Sequence, residues 1–365
     1  MIKPNFERIA SLLADCSRLR EGEMVTVFSH DQLFELADAL IVECYRRGAV
    51  PLNVTRREKA EIRTFHEAAA ADLSRPAEHL VNLMKHTDVM ITLYCQYQNP
   101  AVMADVAGDK IAAYMRGRVP FQEVLYDGRR RVIITDWPTS AQAEFFDVPY
   151  EAYHDAFWQA VDIDYDALRR HVAELAAFVE GTKKVHITSP KGTDVTLNIE
   201  GRRVYADDGL VGLPGENERD PMLNIPSGEV CLAPREDGAE GKVVFDFAFV
   251  GGRRVRDLEV HFSEGRATFV SAAEGLERAA EYFDSGTGDP YVIAELGIGA
   301  NPSLKEPFGS ILMDEKISGT VHLALGDNRT MGGNNTSSIH QDMIILGPRV
   351  TCDGELLMAD GELLV

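Results

Sequence analysis

Residues 24 to 54 read MVTVFSHDQLFELADALIVECYRRGAVPLNV, and the folding of this stretch decides the class of the first half of the chain. MVTVF is a short β-branched and apolar run of the kind that forms a buried strand. Leu33, Leu36, Ala37, Leu40, Ile41 and Cys44 then recur at helical spacing, which predicts a helix with one apolar stripe. Asp31 stands where an N-cap is expected and Gly48 where the helix should stop. VPLNV follows as a second strand. Two strands joined by a helix make a parallel crossover, because a helix returns the chain to the starting edge of the sheet. Cys44 lies within the apolar stripe and reads as a buried core thiol.

Outward from this unit the alternation continues. DVMITLY (88 to 94) and RVIITDW (131 to 137) read as further buried strands, and PAEHLVNLMKH (76 to 86) as a helix between strands. Two helical segments, YEAYHDAFWQAV and DYDALRRHVAELAAFVEG, carry the chain to Gly181. After GTKK the pattern changes to KVHITS, DVTLNI, KVVFDFAFV, DLEVHF and ATFVSA, with turn residues between and one clear helix at GLERAAEYFDS. The expectation is an α/β protein of two domains. Residues 1–181 form a parallel-sheet α/β domain, and residues 182–365 a strand-rich α+β domain.

The 365 residues are enough for two cores. With 45% hydrophobic and 26% charged residues the chain is of ordinary globular composition. Its formal net charge of −21 argues against nucleic acid and anionic membranes as partners. It favours a cationic ligand or a metal. MIKPNFERIASLL at the start has no signal-peptide apolar core, and no apolar run is long enough to span a bilayer. The five cysteines, Cys16, Cys44, Cys95, Cys231 and Cys352, are odd in number and widely spaced, unlike a disulfide framework or a CxxC zinc site. A cytoplasmic location is expected. Dinucleotide, P-loop, nucleophile-elbow and HExxH motifs are absent. The basic clusters GRRR (128 to 131) and GGRRVR (251 to 256) read as solvated loops.

Chemistry concentrates in the second half, at four places. Glu229 follows a Pro-Ser-Gly turn in NIPSGEVCLAP, and Glu295 is the single charge of YVIAELGIGANP. In GTVHLALGDN, His322 shares a strand face with the small residues Ala324 and Gly326. In SSIHQDMII (337 to 345), His340 and Asp342 are two residues apart and therefore share a face with Ser338. A buried unpaired carboxylate costs several kcal/mol, so something must compensate Asp342. Singly, each is explained by a hydrogen-bonded core histidine or a carboxylate paired with arginine. Together, two histidines and three carboxylates form the mixed nitrogen and oxygen set that zinc, cobalt or manganese accepts. One catalytic zinc usually takes three protein ligands. Five donors therefore suit two divalent metal ions about 3.5 to 4 Å apart that share a carboxylate and a water. The chemistry expected of such a pair is hydrolysis.

ADDG, NIPSGEVCLAP, ELGIGANP, DEKISGTVHLALGDN and GGNNTSSIHQDMI, in this order, resemble the aminopeptidase T family of thermophilic metallopeptidases. The likeness runs through most of the second half; in the first half it is mainly one of element order. The resemblance implies a homodimer with a dinuclear site in the C-terminal domain that cleaves N-terminal residues from peptides. Glu229, Glu295, His322, His340 and Asp342 would be its metal ligands. A family glutamate before the first histidine matches Glu315, seven residues ahead of His322, as a further ligand or as the base. The family's aminopeptidases carry an oxyanion-stabilising tyrosine where this chain has Arg329, in GDNRTMGG. Arginine there would donate to an oxyanion, grip a substrate carboxylate, or be a solvated loop residue with the peptidase step lost. Relatives of the fold include iron dioxygenases of dihydroxypyridines and aminohydrolases of aromatic amines. The dioxygenase branch lacks an equivalent of Glu229. A descendant serving only as a binding module is the remaining reading.

Overall fold

The computed structural model describes every residue except 32, 95, 96, 104, 217 and 218, so Cys95 lies outside the described residues. The chain divides into two compact units: Met1–Asp162 with Gly209–Ile225, and Ile163–Asp208 with Pro226–Val365.

The first unit is built on a five-stranded sheet in which every pair is parallel. Its spatial order is Val50–Arg56, Met24–His30, Val89–Thr92, Arg131–Ile134 and Met222–Asn224. The opening crossover forms as expected. Strand Met24–His30 runs in register with Val50–Arg56, and helix Phe34–Arg46 between them buries Leu36, Ala37, Leu40 and Cys44. Gly48 ends the turn after the helix at φ +76, a conformation in which a Cβ would be strained. The start differs from expectation. Leu33, not Asp31, occupies the N-cap position, and Asp31 pairs with Arg57 at 3.1 Å. Phe28, Val81, Met84, Met90, Phe121 and Val132 form one core cluster of this unit.

The GRRR cluster is not a solvated loop. Arg130 and Arg131 are both buried, and Arg131 opens a strand. The Arg131 guanidinium pairs with Glu23 and donates to the carbonyls of Ser17 at 2.9 Å and Arg18 at 2.5 Å. It thus satisfies carbonyls just beyond the first helix, Phe6–Cys16, that helix geometry leaves without a partner. GGRRVR opens a strand too, Arg253–Ser263, with Arg253 and Arg256 exposed along it.

The second unit carries a large, antiparallel, strand-rich sheet of thirteen strands. The division differs from the break at 181/182 expected from composition. Helix Tyr165–Val179, capped by the Asp164 side chain on Ala167 N–H at 3.0 Å, packs on strands Tyr205–Asp207 and Glu229–Leu232. The GTKK stretch is only the tight turn, with Gly181 at φ +77, that leads from this helix into strand Lys184–Thr188. Residues 209 to 225 belong instead to the first unit, where they supply its last parallel strand. The helix Leu276–Asp284 falls where GLERAAEYFDS predicts it. Cys16, Cys44, Cys231 and Cys352 are all thiols. Among the described residues no helix is long and apolar enough to cross a membrane.

Candidate metal centre

Five neighbouring strands of the second unit's sheet bring the candidate ligands together. Their order is Tyr205–Asp207, Glu229–Leu232, Ile293–Gly299, Val321–Gly326 and His340–Ile345. Residues directly opposite each other in an antiparallel pair share a face. The register sets Asp207 against Glu229, Glu229 against Gly299, and Cys231 against Gly297. It then sets Gly297 against His322, Glu295 against Ala324, Ala324 against Asp342, and Gly326 against His340. One face therefore carries Asp207, Glu229, Cys231, Glu295, His322, His340 and Asp342, with the small residues Gly297, Gly299, Ala324 and Gly326 among them. A strand shifted by one residue would turn its ligand to the opposite face.

The small residues make the floor. A Cβ on Gly297 would lie 2.0 Å from the His322 ring, and one on Gly299 would lie 2.1 Å from the Ile317 carbonyl. Gly297 thus clears space for an imidazole, and Gly299 for the backbone of Ile317. The sequence reading noticed room beside His322 at Ala324 and Gly326 but not at Gly297, which only strand pairing brings under the ring.

Among the described residues, distances define three overlapping donor groups, two of which share His322. Donor atoms of Glu229, Glu315 and His322 lie within 4.8 Å of one another, as do those of Glu295, His322 and Asp342. His340 joins the second group, its Nε2 lying 3.0 Å from Glu295 Oε2 and 3.5 Å from Asp342 Oδ1. Glu295 turns one oxygen to each histidine, since Oε1 lies 3.5 Å from His322 Nε2. His340 Nδ1 donates to the Asp327 carbonyl at 2.7 Å, which orients the ring so that Nε2 faces the carboxylates. Glu229 Oε2, both His322 ring nitrogens and Asp342 Oδ1 are buried without a hydrogen bond. Buried polar atoms are rarely left so. These uncommitted oxygens and nitrogens, on one small-residue floor, fit divalent metal ions.

Lys316, which the sequence reading passed over, sits against the same cluster. Only 1% of its side chain is exposed; Nζ lies 2.5 Å from Glu229 Oε1, 2.9 Å from Glu315 Oε1 and 3.1 Å from Asp207 Oδ2. The visible signal was a lysine next to Glu315 in the largely apolar stretch ILMDEKISGTVHL. Cys231 is the second omission. Its sulfur lies within 4.8 Å of donor atoms of Glu229 and Glu295, and burial together with those carboxylates pushes the thiol well up.

The ionisation of the cluster follows from this crowding. Burial pushes Glu229 up to about 8 against the pull of Lys316, and burial likewise raises Glu315 and Asp207. Burial would lower Lys316, but three carboxylates hold the ammonium charged, well above its usual range. Burial would also raise Glu295, yet His322 and His340 outweigh it and hold that carboxyl below the usual range. Burial would lower both histidines, but Glu295 and Glu229 push His322 up to about 9, and Asp342 with Glu295 pushes His340 up to about 12. The cluster thus sets five carboxyl groups against the single ammonium of Lys316 and is short of positive charge whenever they are ionised.

Arg329 is placed differently from the six candidate ligands. Its side chain is 60% exposed and makes a two-point contact with Asp327, Nε at 2.8 Å and Nη2 at 2.6 Å. It belongs to the loop beside His340, and no donor group includes it.

A sequence profile for the family described as thermophilic metalloprotease (M29) matches residues 2–363. The chain belongs to the M29 metallopeptidases. Aminopeptidase AmpS of Bacillus subtilis (strain 168) is 21% identical to this M29 chain, over 94% of it and 92% of AmpS. Among solved structures, wild-type AmpT from Thermus thermophilus superposes with a TM-score of 0.80 at 21% identity, covering 99% of each chain. The 2,5-dihydroxypyridine dioxygenase from Pseudomonas putida KT2440 superposes with a TM-score of 0.66 at 16% identity, covering 99% of this chain and 97% of the other. These two likenesses establish the fold. The family makes the chain a metal-dependent peptidase, a hydrolase.

Proposed function

We propose that this M29 chain is an aminopeptidase that works with two divalent metal ions, of zinc, cobalt or manganese, held by Glu229, Glu295, Glu315, His322, His340 and Asp342. The observation that carries the reading is the pair of donor groups sharing His322 and joined through Glu295. Bound divalent ions supply a water of lowered pKa and polarise the scissile carbonyl. The chain's own part is positional. Glu295, with an oxygen toward each histidine, would serve as a ligand beside both. His340 is fixed in one ring orientation by Asp327, and Glu315 is taken as a ligand because its oxygen falls in the group with Glu229 and His322. AmpS is named an aminopeptidase, which supports N-terminal cleavage over internal cleavage.

Arg329 enters the proposal as a rim residue tethered by Asp327 rather than as an oxyanion donor. Replacing it by alanine should change kcat/KM by less than about fivefold, the scale of an exposed ion pair. A loss of hundredfold or more would instead put its guanidinium on the reacting atoms. A homodimer and a cytoplasmic location belong to the same proposal; Val50 and Leu52, exposed on the edge strand of the parallel sheet, suit contact with a second copy.

The test combines metal counting with hydrolysis. Purified protein loaded in turn with zinc, cobalt and manganese should hold two ions per chain and release N-terminal residues from amino-acid anilides and dipeptides. A loaded sample that leaves such a panel intact overturns the aminopeptidase reading. One tightly held iron with ring cleavage of a dihydroxypyridine would move the chain to the dioxygenase chemistry of its more distant structural neighbour.

A further inference from the structure

We infer that Lys316 is a positioning residue that acts as a built-in counter-ion of the metal centre, holding Glu229 and Glu315 in place and limiting how tightly cations bind beside them. The inference rests on the two-metal reading and adds to it a cation supplied by the chain itself.

The geometry is specific. The ammonium takes one oxygen of Glu229, at 2.5 Å, while the other oxygen, Oε2, is buried without a hydrogen bond and lies 3.6 Å from His322 Nε2. Lys316 thereby turns Glu229 into a ligand with one oxygen to offer, and aims that oxygen at His322. It holds Glu315 Oε1 in the same way at 2.9 Å. Asp207, opposite Glu229 in the neighbouring strand, completes the cage at 3.1 Å. A purely structural lysine needs one carboxylate. Three around one ammonium, two of them also facing a donor group, leave a surplus of negative charge that the ammonium reduces by one. The charge of the cage therefore sets the affinity for an incoming dication, and a change of one unit at such distances alters that affinity by at least about tenfold.

The charge can be moved in both directions. Lys316→Gln keeps a donor toward Glu229 but removes the ammonium, and Asp207→Asn removes one carboxylate. The double variant restores the original balance. The measurements are the rise in Tm on adding zinc to chelator-treated protein, and the zinc retained per chain at a limiting free concentration. The expected order is the largest rise and tightest retention in Lys316→Gln, the smallest in Asp207→Asn, and a value near the parent in the double variant. A Lys316→Gln protein whose rise is no larger than the parent's, or a double variant that departs from the parent as far as either single variant, overturns the inference. Should Lys316→Gln fail to fold, the parent, Asp207→Asn and the double variant decide it: recovery of zinc retention on adding the lysine change supports it, and no recovery overturns it. A parent that retains no zinc, cobalt or manganese fails earlier, at the two-metal reading.

Discussion

Arg131 of the first unit and Lys316 of the second are both fully buried cations, and they differ in what surrounds them. Arg131 faces one carboxylate, Glu23, and two backbone carbonyls. Its charge is matched by Glu23 and its two terminal nitrogens are engaged, so it ties a loop to a strand. Lys316 faces Glu229, Glu315 and Asp207, with Glu295 and Asp342 nearby on the same sheet face. There the negative charge outnumbers the positive, and buried oxygens and nitrogens remain uncommitted. A balanced buried charge is a structural element, whereas a surplus of one sign marks the place where the molecule expects a ligand of the other.

The contrast breaks most readily at Glu295. Glu295→Gln should lower the hydrolysis rate by about 10³-fold, on the scale of losing a strong electrostatic contributor at a reacting centre, with far-UV circular dichroism unchanged. A variant with parental kcat would show that the surplus charge serves no chemistry. In the first unit, Arg131→Met should instead reduce stability by about 3 kcal/mol, because Glu23 loses its partner, while the metals bound per chain stay the same. Urea unfolding and metal analysis of the same preparation check both halves of that statement.

Gly297→Ala sharpens the comparison at the floor of the site. Its Cβ would lie 2.0 Å from the His322 ring, so the ring must move. Metal affinity, measured by chelator competition, should fall about 10- to 100-fold, the range seen when the support of a ligand is disturbed. An unchanged affinity would mean that His322 is not a ligand.

The smallest effect is expected at Glu61. Burial would raise this carboxyl, but Arg56, Tyr114 and Tyr97 hold it below the usual range. A depressed folded pKa contributes stability above the ordinary carboxylate value and loses it as pH falls toward the folded value. Glu61→Gln should therefore be less stable than the parent near neutral pH, by about 1 to 2 kcal/mol. The gap should close as the solution is acidified below the ordinary carboxylate range. A gap that stays constant down to acid pH would remove ionisation as its cause.

Much of the fold was legible because it rests on local periodicity. The helical stripe ending at Cys44 and the flanking runs MVTVF and VPLNV specify a crossover within about thirty residues, which is why the parallel sheet could be read ahead of the structure. The last parallel strand, Met222–Asn224, could not be. It is three residues long and comes from the far side of helix Tyr165–Val179 in sequence, so no local pattern ties it to Arg131–Ile134. Arg130 and Arg131 were misread for a related reason. A basic run is usually solvated, and only the carbonyls left behind at the end of a distant helix make burial of Arg131 favourable.

For the site, the residue types and alternation along single strands were sufficient to nominate Glu229, Glu295, His322, His340 and Asp342, and family likeness added Glu315. Period-two geometry puts His340 and Asp342 on one face whatever the rest of the chain does. The chain by itself thus determined its elements, its candidate donors and its strongly acidic character. Tertiary structure alone decided which donors meet, because that depends on register between strands far apart in sequence, as Glu229 is from Gly299, and a slip of one residue reverses a face. Register placed Gly297 beneath His322 and Asp207 opposite Glu229, and the chain between strands brought the ammonium of Lys316 among three carboxylates. Electrostatic interactions act through space and not along the sequence, so the charge balance of the centre existed only once the strands were paired.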